Sequence, residues 1–457
     1  MKYDIIKYDN GLTYIHIHNK SDMVSIGFIV KAGSRDETLK NNGISHFLEH
    51  MLFKGTKKRN TSKLLSELDK LGTSYNAMTT FDYTAYELHG NKSDIMKLLD
   101  IFIDLYMGAN LYQRDVEKER GVILEEFNMF KNDIDDFMLD TLMNEIFGGS
   151  SLAYPIIGTD KNIKNFKRQD LVKYRNKYYC PSNTIFLTIG DIDKKKISNY
   201  IYKKINNYCK EEIIRLHVSP YQEYSRLNIT NTESTGQVHL KMGFHHNGYL
   251  HDEEYNLCSK IISSYLTSGS SSKLFDILRT KYGLAYNCSS YNMELEDTSI
   301  FTIKSAVDEK RCDLAIEKIL ETLYKIVKNG ICNEEVKRCK KSLLNKEKLN
   351  NSQIDLMYHY LDLSIKRQGI YSPQEEQLII DKMSKKEISK CCKHIFRKDN
   401  LNLVLLGKMS KKSKDKIEDL LDKWYYLLNW KIFIIYKDLL YIIKNDKANI
   451  SNCRITW

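Results

Sequence analysis

Proline is scarce in this chain, four residues in 457, and none of the ten cysteines forms a C-x-x-C pair. The first scarcity argues against proline-rich segments and fits a globular composition. The second removes the spacing that would make the cysteines metal ligands. Cys391 and Cys392 are merely adjacent, so the cysteines read as reduced, mostly structural thiols and the protein as cytoplasmic. Neither G-x-G-x-x-G nor a Walker-type loop occurs, which argues against a parallel nucleotide-binding sheet. The N-terminal MKYDIIKYDNGLTYIHIHNK has no apolar run and no Arg/Ser-rich bias. It reads as folded chain, strand-like from about Tyr14, and not as a leader.

At 457 residues the chain exceeds one ordinary core, so two or more domains are expected. It is 42% apolar, 11% aromatic and 28% charged, enough to build cores of substantial size. The net charge of +11 is spread along the whole length. Its runs at 193–196 and 411–414 are short and carry no interleaved aromatics. They read as solvated faces, and no nucleic-acid partner is expected.

The chain repeats itself. SNTIFLTIGDIDKKK (182–196) is echoed by NLNLVLLGKMSKKSK (400–414), and the helical stretch 95–126 by 314–347. Each copy has the size of one domain. Segments such as SYNAMTTFDYTAYEL and GQVHLKMGFHH alternate with period 2 between long amphipathic helices. The fold class is therefore α+β, with mixed, largely antiparallel sheets covered by helices in two homologous domains, 1–215 and 216–423. The join falls near 210–230, where periodicity fades around Pro220. Setting DVEKERGVILEE over EVKRCKKSLLNK puts Cys339 opposite Glu119 and Lys346 opposite Glu126. One copy keeps acids that the other has lost.

HFLEHMLFKGT (46–56) carries the most specific pattern. Ile44, Phe47, Leu48, Met51 and Leu52 form one apolar stripe at helical spacing, with Gly55 placed to end the helix. His46, Glu49 and His50 gather on the opposite side. A lone histidine there would read as a satisfied core residue. Two histidines at i and i+4 can instead reach one small cation, with Glu49 placed beside them as a base. The order of residues is the mirror of H-E-x-x-H. A catalytic zinc needs a third protein ligand, and EKERGVILEEF offers several acids. Glu119 and Glu126 share a helical face and Glu125 points about 100° away, but spacing alone does not choose among them.

H-x-x-E-H followed by an ER-x-V-I-x-E-E helix resembles the inverzincin, or pitrilysin-type, zinc metallopeptidases. At this chain length the likeness is to the β-subunit of mitochondrial processing peptidase and its bacterial relatives. The resemblance implies one zinc ion on His46, His50 and Glu126, with Glu49 as general base and Glu119 as an accessory acid. N-A-x-T at Asn76, Ala77 and Thr79 is similar to the family's substrate-pairing edge strand. SSSKLFDILRTKYGLAYNCSSY resembles a second-half segment whose Arg279 and Tyr286 would hold the substrate carbonyl and oxyanion. It also implies a clamshell of two homologous domains, a peptide or unfolded protein substrate, and a homodimer or a heterodimer with a homologous subunit. A peptide-binding or structural subunit retaining the metal is the alternative.

Residues 424–457 extend past the last expected helix. Residues 424–443 are hydrophobic, but Lys431, Lys437 and Asp438 interrupt them, each costing about 3 kcal/mol at a bilayer centre. No membrane span is expected, and the extension is set apart without a role. The charge reading carries a direct test. The purified protein should not be retained by duplex or single-stranded DNA at moderate salt, whereas a nucleic-acid binder would show strong, salt-dependent affinity.

Overall fold

The computed structural model describes residues 2–205, 213, 226–232, 236–248, 253–349, 352–366 and 372–427. Most of the expected join at 210–230, and the extension beyond 427, lie outside these residues. The first half runs β1 (Tyr3–Lys7), β2 (Thr13–His18), β3 (Met23–Val30), α1 (Ile44–Leu52), α2 (Thr61–Lys70), β4 (Ser74–Thr79), β5 (Thr84–Asn91), α3 (Ile95–Gly108), α4 (Gln113–Asn132), α5 (Ile134–Phe147), α6 (Asp160–Asn165), α7 (Arg168–Tyr178), β6 (Thr184–Gly190) and α8 (Lys194–Ile205). The second repeats the plan. It runs β7 (Arg226–Thr230), β8 (Gln237–Asn247), α9 (Glu253–Thr267), α10 (Lys273–Phe275) with a following π-helical turn, β9 (Ala285–Glu294), β10 (Thr298–Asp308), α11 (Cys312–Asn329), α12 (Asn333–Leu349), α13 (Gln353–Lys366), α14 (Pro373–Lys382), α15 (Lys385–Ile395), β11 (Leu401–Leu406) and α16 (Lys411–Leu427).

The sheets share one strand order. β2-β6-β3-β5-β4 in the first half, with β1 added beside β2, is matched by β7-β11-β8-β10-β9 in the second among the described residues. Only β2–β6 and β7–β11 pair in parallel. This is the two-domain α+β fold expected from the duplication. Trp424, counted by sequence with the extension, closes α16 inside the second core at 1% exposure. Among the described residues no helix is long and apolar enough to cross a membrane.

One segment resolves differently. SYNAMTTFDYTAYEL, which alternates like a single strand, folds as the β4–β5 hairpin. Thr80 N donates to Tyr83 O at 2.8 Å across the turn, and the Thr80 hydroxyl accepts from Asp82 N and Tyr83 N. A threonine that satisfies the turn amides lets the chain reverse without glycine or proline. β4 thereby becomes the sheet edge.

Each sheet has one face covered by its own helices and the other by a helix from the opposite half. α13 lays Leu356, Met357, Tyr360 and Leu361 on Ile15, Ile17, Ile29 and Leu187 of the first sheet. In return, α5 lays Met138, Leu142 and Ile146 on Ile300, Val404 and Leu406 of the second. Both helices come close to a glycine on a central strand. A Cβ on Gly27 would lie 3.2 Å from the Met357 sulfur, and one on Gly243 would lie 2.8 Å from a Leu142 methyl. Arg35 adds a buried polar tie, bonding Asp82 at the first hairpin and Asp297 at the second, each at 2.6 Å.

Because neither sheet is covered without the other half, the halves should unfold together. Leu142→Ala should cost roughly 2–5 kcal/mol. Tryptophan fluorescence reports the second half, since every tryptophan lies at or beyond residue 424. Its urea midpoint should fall in step with circular dichroism. An unmoved fluorescence transition would show the halves to be independent.

Candidate metal centre

α1 forms because its apolar stripe has a core to enter. Ile44, Phe47, Leu48, Met51 and Leu52 are all 2% exposed or less. Gly43 precedes the helix at φ 95°, a left-handed backbone that favours glycine. The helix ends at Leu52 and not at Gly55. Phe53 and Lys54 close a turn first, and Gly55, at φ 108°, then starts a small bridge to Asn60. α4 crosses the polar face of α1.

That crossing brings three donors together. One donor atom each of His46, His50 and Glu126 lies within 4.8 Å of the others. Glu126 Oε2 is 3.7 Å from His46 Nε2 and 3.2 Å from His50 Nε2. A tetrahedral zinc with bonds of about 2.1 Å holds its ligand atoms about 3.4 Å apart. Glu126 Oε2 is buried without a hydrogen-bond partner. Donor chemistry, spacing and the orphaned oxygen all fit a divalent ion. Glu125, left open by spacing, is exposed to solvent.

Surrounding groups orient these donors. His50 Nδ1 is 2.9 Å from Glu119 Oε1, so a proton there turns the other ring nitrogen toward Glu126. Lys54, a residue the sequence pattern did not single out, lies 2.6 Å from Glu119 Oε2. The Thr79 hydroxyl donates to Glu49 Oε2 at 2.6 Å. Burial drives His46 down to about 4, assisted by His50. Burial also opposes charge on His50, but Glu119 and Glu126 prevail and lift it to about 9. Burial raises the Glu49 carboxyl despite the Thr79 bond.

The cluster opens on a cleft of about 570 Å³. Ala77, Met78 and Thr79 form one wall, and Phe81, Phe127, Phe130, Phe137 and Ile156 make much of the rest apolar. Asp136 and Asp140, one helical turn apart on α5, add charge. The Asp140 carboxyl is raised to about 6 by burial and then by Asp136. Both acids were missed from sequence; their i, i+4 spacing was the only signal, and α5 carries other acids.

The expected substrate residues divide by face. Thr79 and Ala77 lie on the α1 side of β4. Asn76 projects to the other side, where its amide donates to Tyr358 OH at 3.2 Å. Arg279 and Tyr286 meet each other, with the guanidinium 4.4 Å from the ring centroid, but neither lines the cleft. Tyr286 is 79% exposed.

Comparison with known proteins finds likenesses in both sequence and fold. Residues 13–160 match the family model for insulinase (peptidase family M16), and residues 165–343 match that for the peptidase M16 inactive domain. A Bacillus subtilis (strain 168) protein named uncharacterized zinc protease YmxG is 31% identical over 336 residues, 73% of this chain and 81% of that one. Zinc protease PqqE of Helicobacter pylori is 27% identical, over 74% of this chain and 78% of its own. The fold is similar to the crystal structure of a protease from Helicobacter pylori, with TM-score 0.82 at 23% identity, covering 89% of this chain and 99% of that one. It is also similar to a structure from Pseudomonas fluorescens titled as the peptidase M16 inactive domain, at TM-score 0.82, 15% identity and coverage of 90% and 98%.

Asp140 supplies a stability test free of the metal. Its folded pKa of about 6 lies above the ordinary 3.8, so the folded state favours the protonated acid. The stability it contributes is present below pH 4 and is lost as pH rises through 6. Asp140→Asn should therefore raise Tm at neutral pH, and the gain should vanish in a pH series descending through 4.

Proposed function

Because this chain belongs to peptidase family M16, we propose that it is a zinc-dependent endopeptidase acting on extended peptides or flexible protein segments. The observation that carries the reading is the convergence of His46, His50 and Glu126 beside a half-buried Glu49 on one cleft. A single zinc ion on those three residues would polarise the scissile carbonyl and acidify a water. Glu49 takes the proton of the attacking water and returns it to the leaving amine. Its raised pKa supports that exchange, since a weaker acid is a better base. Thr79 fixes the carboxylate, and Glu119 fixes the ring of His50.

The substrate chain lies along the free edge of β4, at Ala77 and Thr79, where main-chain hydrogen bonds bind without demanding a particular sequence. Selectivity comes from the cleft. Phe81, Phe127, Phe130 and Phe137 favour an apolar side chain beside the cut, while Asp136 and Asp140 favour a basic one. Arg279 and Tyr286 stand away from the cleft of their own chain. That supports a homodimer, or a heterodimer with a homologous subunit, in which they stabilise the oxyanion in a partner's cleft. All described cysteines but Cys332 are buried, in keeping with the reading of them as structural residues of a cytoplasmic protein.

Incubation with a mixture of unstructured peptides, read by mass spectrometry, tests the reading. The wild type should cleave, preferring bonds flanked by apolar and basic residues. Glu49→Gln should retain zinc and lose roughly 10²–10⁴-fold in rate. Equal cleavage by both would sink the role of Glu49. Metal retention with no cleavage by either would favour a peptide-binding or structural subunit. Mixing Glu49→Gln with Arg279→Ala should restore part of the activity if the subunits complement each other.

A further inference from the structure

The layer between α13 and the first sheet has an apolar core, and burying polar groups beside it is costly unless they are bonded. At its β4 edge it holds a polar chain that runs from solvent-exposed Asn76 to buried Glu87. The Asn76 amide donates to Tyr358 OH at 3.2 Å, and that hydroxyl donates onward to Glu87 Oε1 at 2.7 Å. Glu87 is 3% exposed and stands directly across the ladder from Asn76. Further along, His89 Nε2 is 3.5 Å from Glu87 Oε2, and His89 Nδ1 is 2.7 Å from Ser25 Oγ. One hydroxyl from the second half thus ties β4 to β5.

β4 has reason to need the tie. As the sheet edge it is paired only with β5. On the α1 face it is held by Tyr75 stacked on Phe53 at 5.5 Å and by the bond between Thr79 and Glu49. On the α13 face Asn76 bonds Tyr358, and the Met78 sulfur accepts from Tyr83 OH of the hairpin turn at 3.9 Å. A peptide adding to the free edge takes its register from the β4 backbone, and the same strand carries Thr79 to Glu49.

We propose that Tyr358 is a positioning residue through which the second half holds the substrate-pairing strand in register beside the metal cleft. This rests on the reading of β4 as the substrate strand. It assigns the second half, which lacks metal ligands at the positions of Glu119 and Glu126, a part in binding within its own chain. A loosened β4 weakens peptide binding more than it slows the chemistry, because the metal donors sit on α1 and α4 and β4 reaches the base only through the bond from Thr79 to Glu49.

The test compares full-length, zinc-loaded wild type with Tyr358→Phe, which keeps the ring and removes both bonds. Hydrogen exchange at amides 75–79 should accelerate about five- to tenfold, with α1 amides and zinc content unchanged. KM for an unstructured peptide should rise by about the same factor while kcat stays within about twofold. Gln353→Ala is the control. It breaks two bonds from the far end of α13, to the carbonyls of Met23 and Ile189, and should alter neither reading. Unchanged exchange in Tyr358→Phe, or an equal change in Gln353→Ala, overturns the proposal. If the wild type cleaves no peptide, the peptidase reading fails on its own, and the exchange comparison still decides whether Tyr358 holds β4.

Discussion

Everything in the first half is arranged around one awkward burial, two histidines and a glutamate pressed together between α1 and α4. Charged and polar groups leave water only when something replaces their hydration. Here the replacement is partial. Glu119 satisfies one nitrogen of His50, and Lys54 offsets Glu119. Glu126 Oε2 is left with histidines on two sides and no hydrogen bond. A cation at that point would complete the set, and the rest of the half keeps the two helices from separating. The apolar stripe of α1 is anchored in the first core, and Arg120 of α4 is tied to the carbonyl of Phe166 at 2.7 Å.

Duplication supplies the contrast. The second half contains a comparable cavity of about 520 Å³, bounded by α9, β9, α12 and α13 as the first is by α1, β4, α4 and α5. Lys260, Ser263 and Ser264 line it from α9 with the same i, i+3, i+4 spacing as His46, Glu49 and His50. Lys346 lines it from α12, opposite Glu126 in the repeat. Among the described residues the second half gathers no donor set like that of His46, His50 and Glu126. Freed from that task, the second half supports the first by lending α13 and receiving α5. The exchange makes two domains into one mechanical unit, because each sheet would otherwise present an apolar face to water.

Much of this was legible from residue order. Helical period put His46, Glu49 and His50 on one face, and the altered repeat marked which half had kept the acids. Strand alternation at 236–246 corresponds to β8, Gln237–Asn247. The misreadings share a cause. A threonine-built turn in the β4–β5 hairpin carries no glycine or proline signal. Gly55 sits in a left-handed bend, but the helix had already ended at Leu52, with Phe53 and Lys54 in the turn that follows and Phe53 packed against the core. Trp424 looked like part of an extension because nothing local shows that α16 ends against the second core.

Local periodicity, then, determined the motif, the duplication and the α+β class, since these depend on residues a few positions apart along one element. The partners were decided by tertiary structure. Glu126 was chosen over Glu125 by the angle at which α4 crosses α1. Thr79 reaches Glu49 across 30 residues, and Tyr358 reaches Asn76 across 282. Arg279 and Tyr286 were drawn together but not to the cleft. Contacts of that kind depend on where whole sheets and helices pack, and the sequence near either partner carries no record of it.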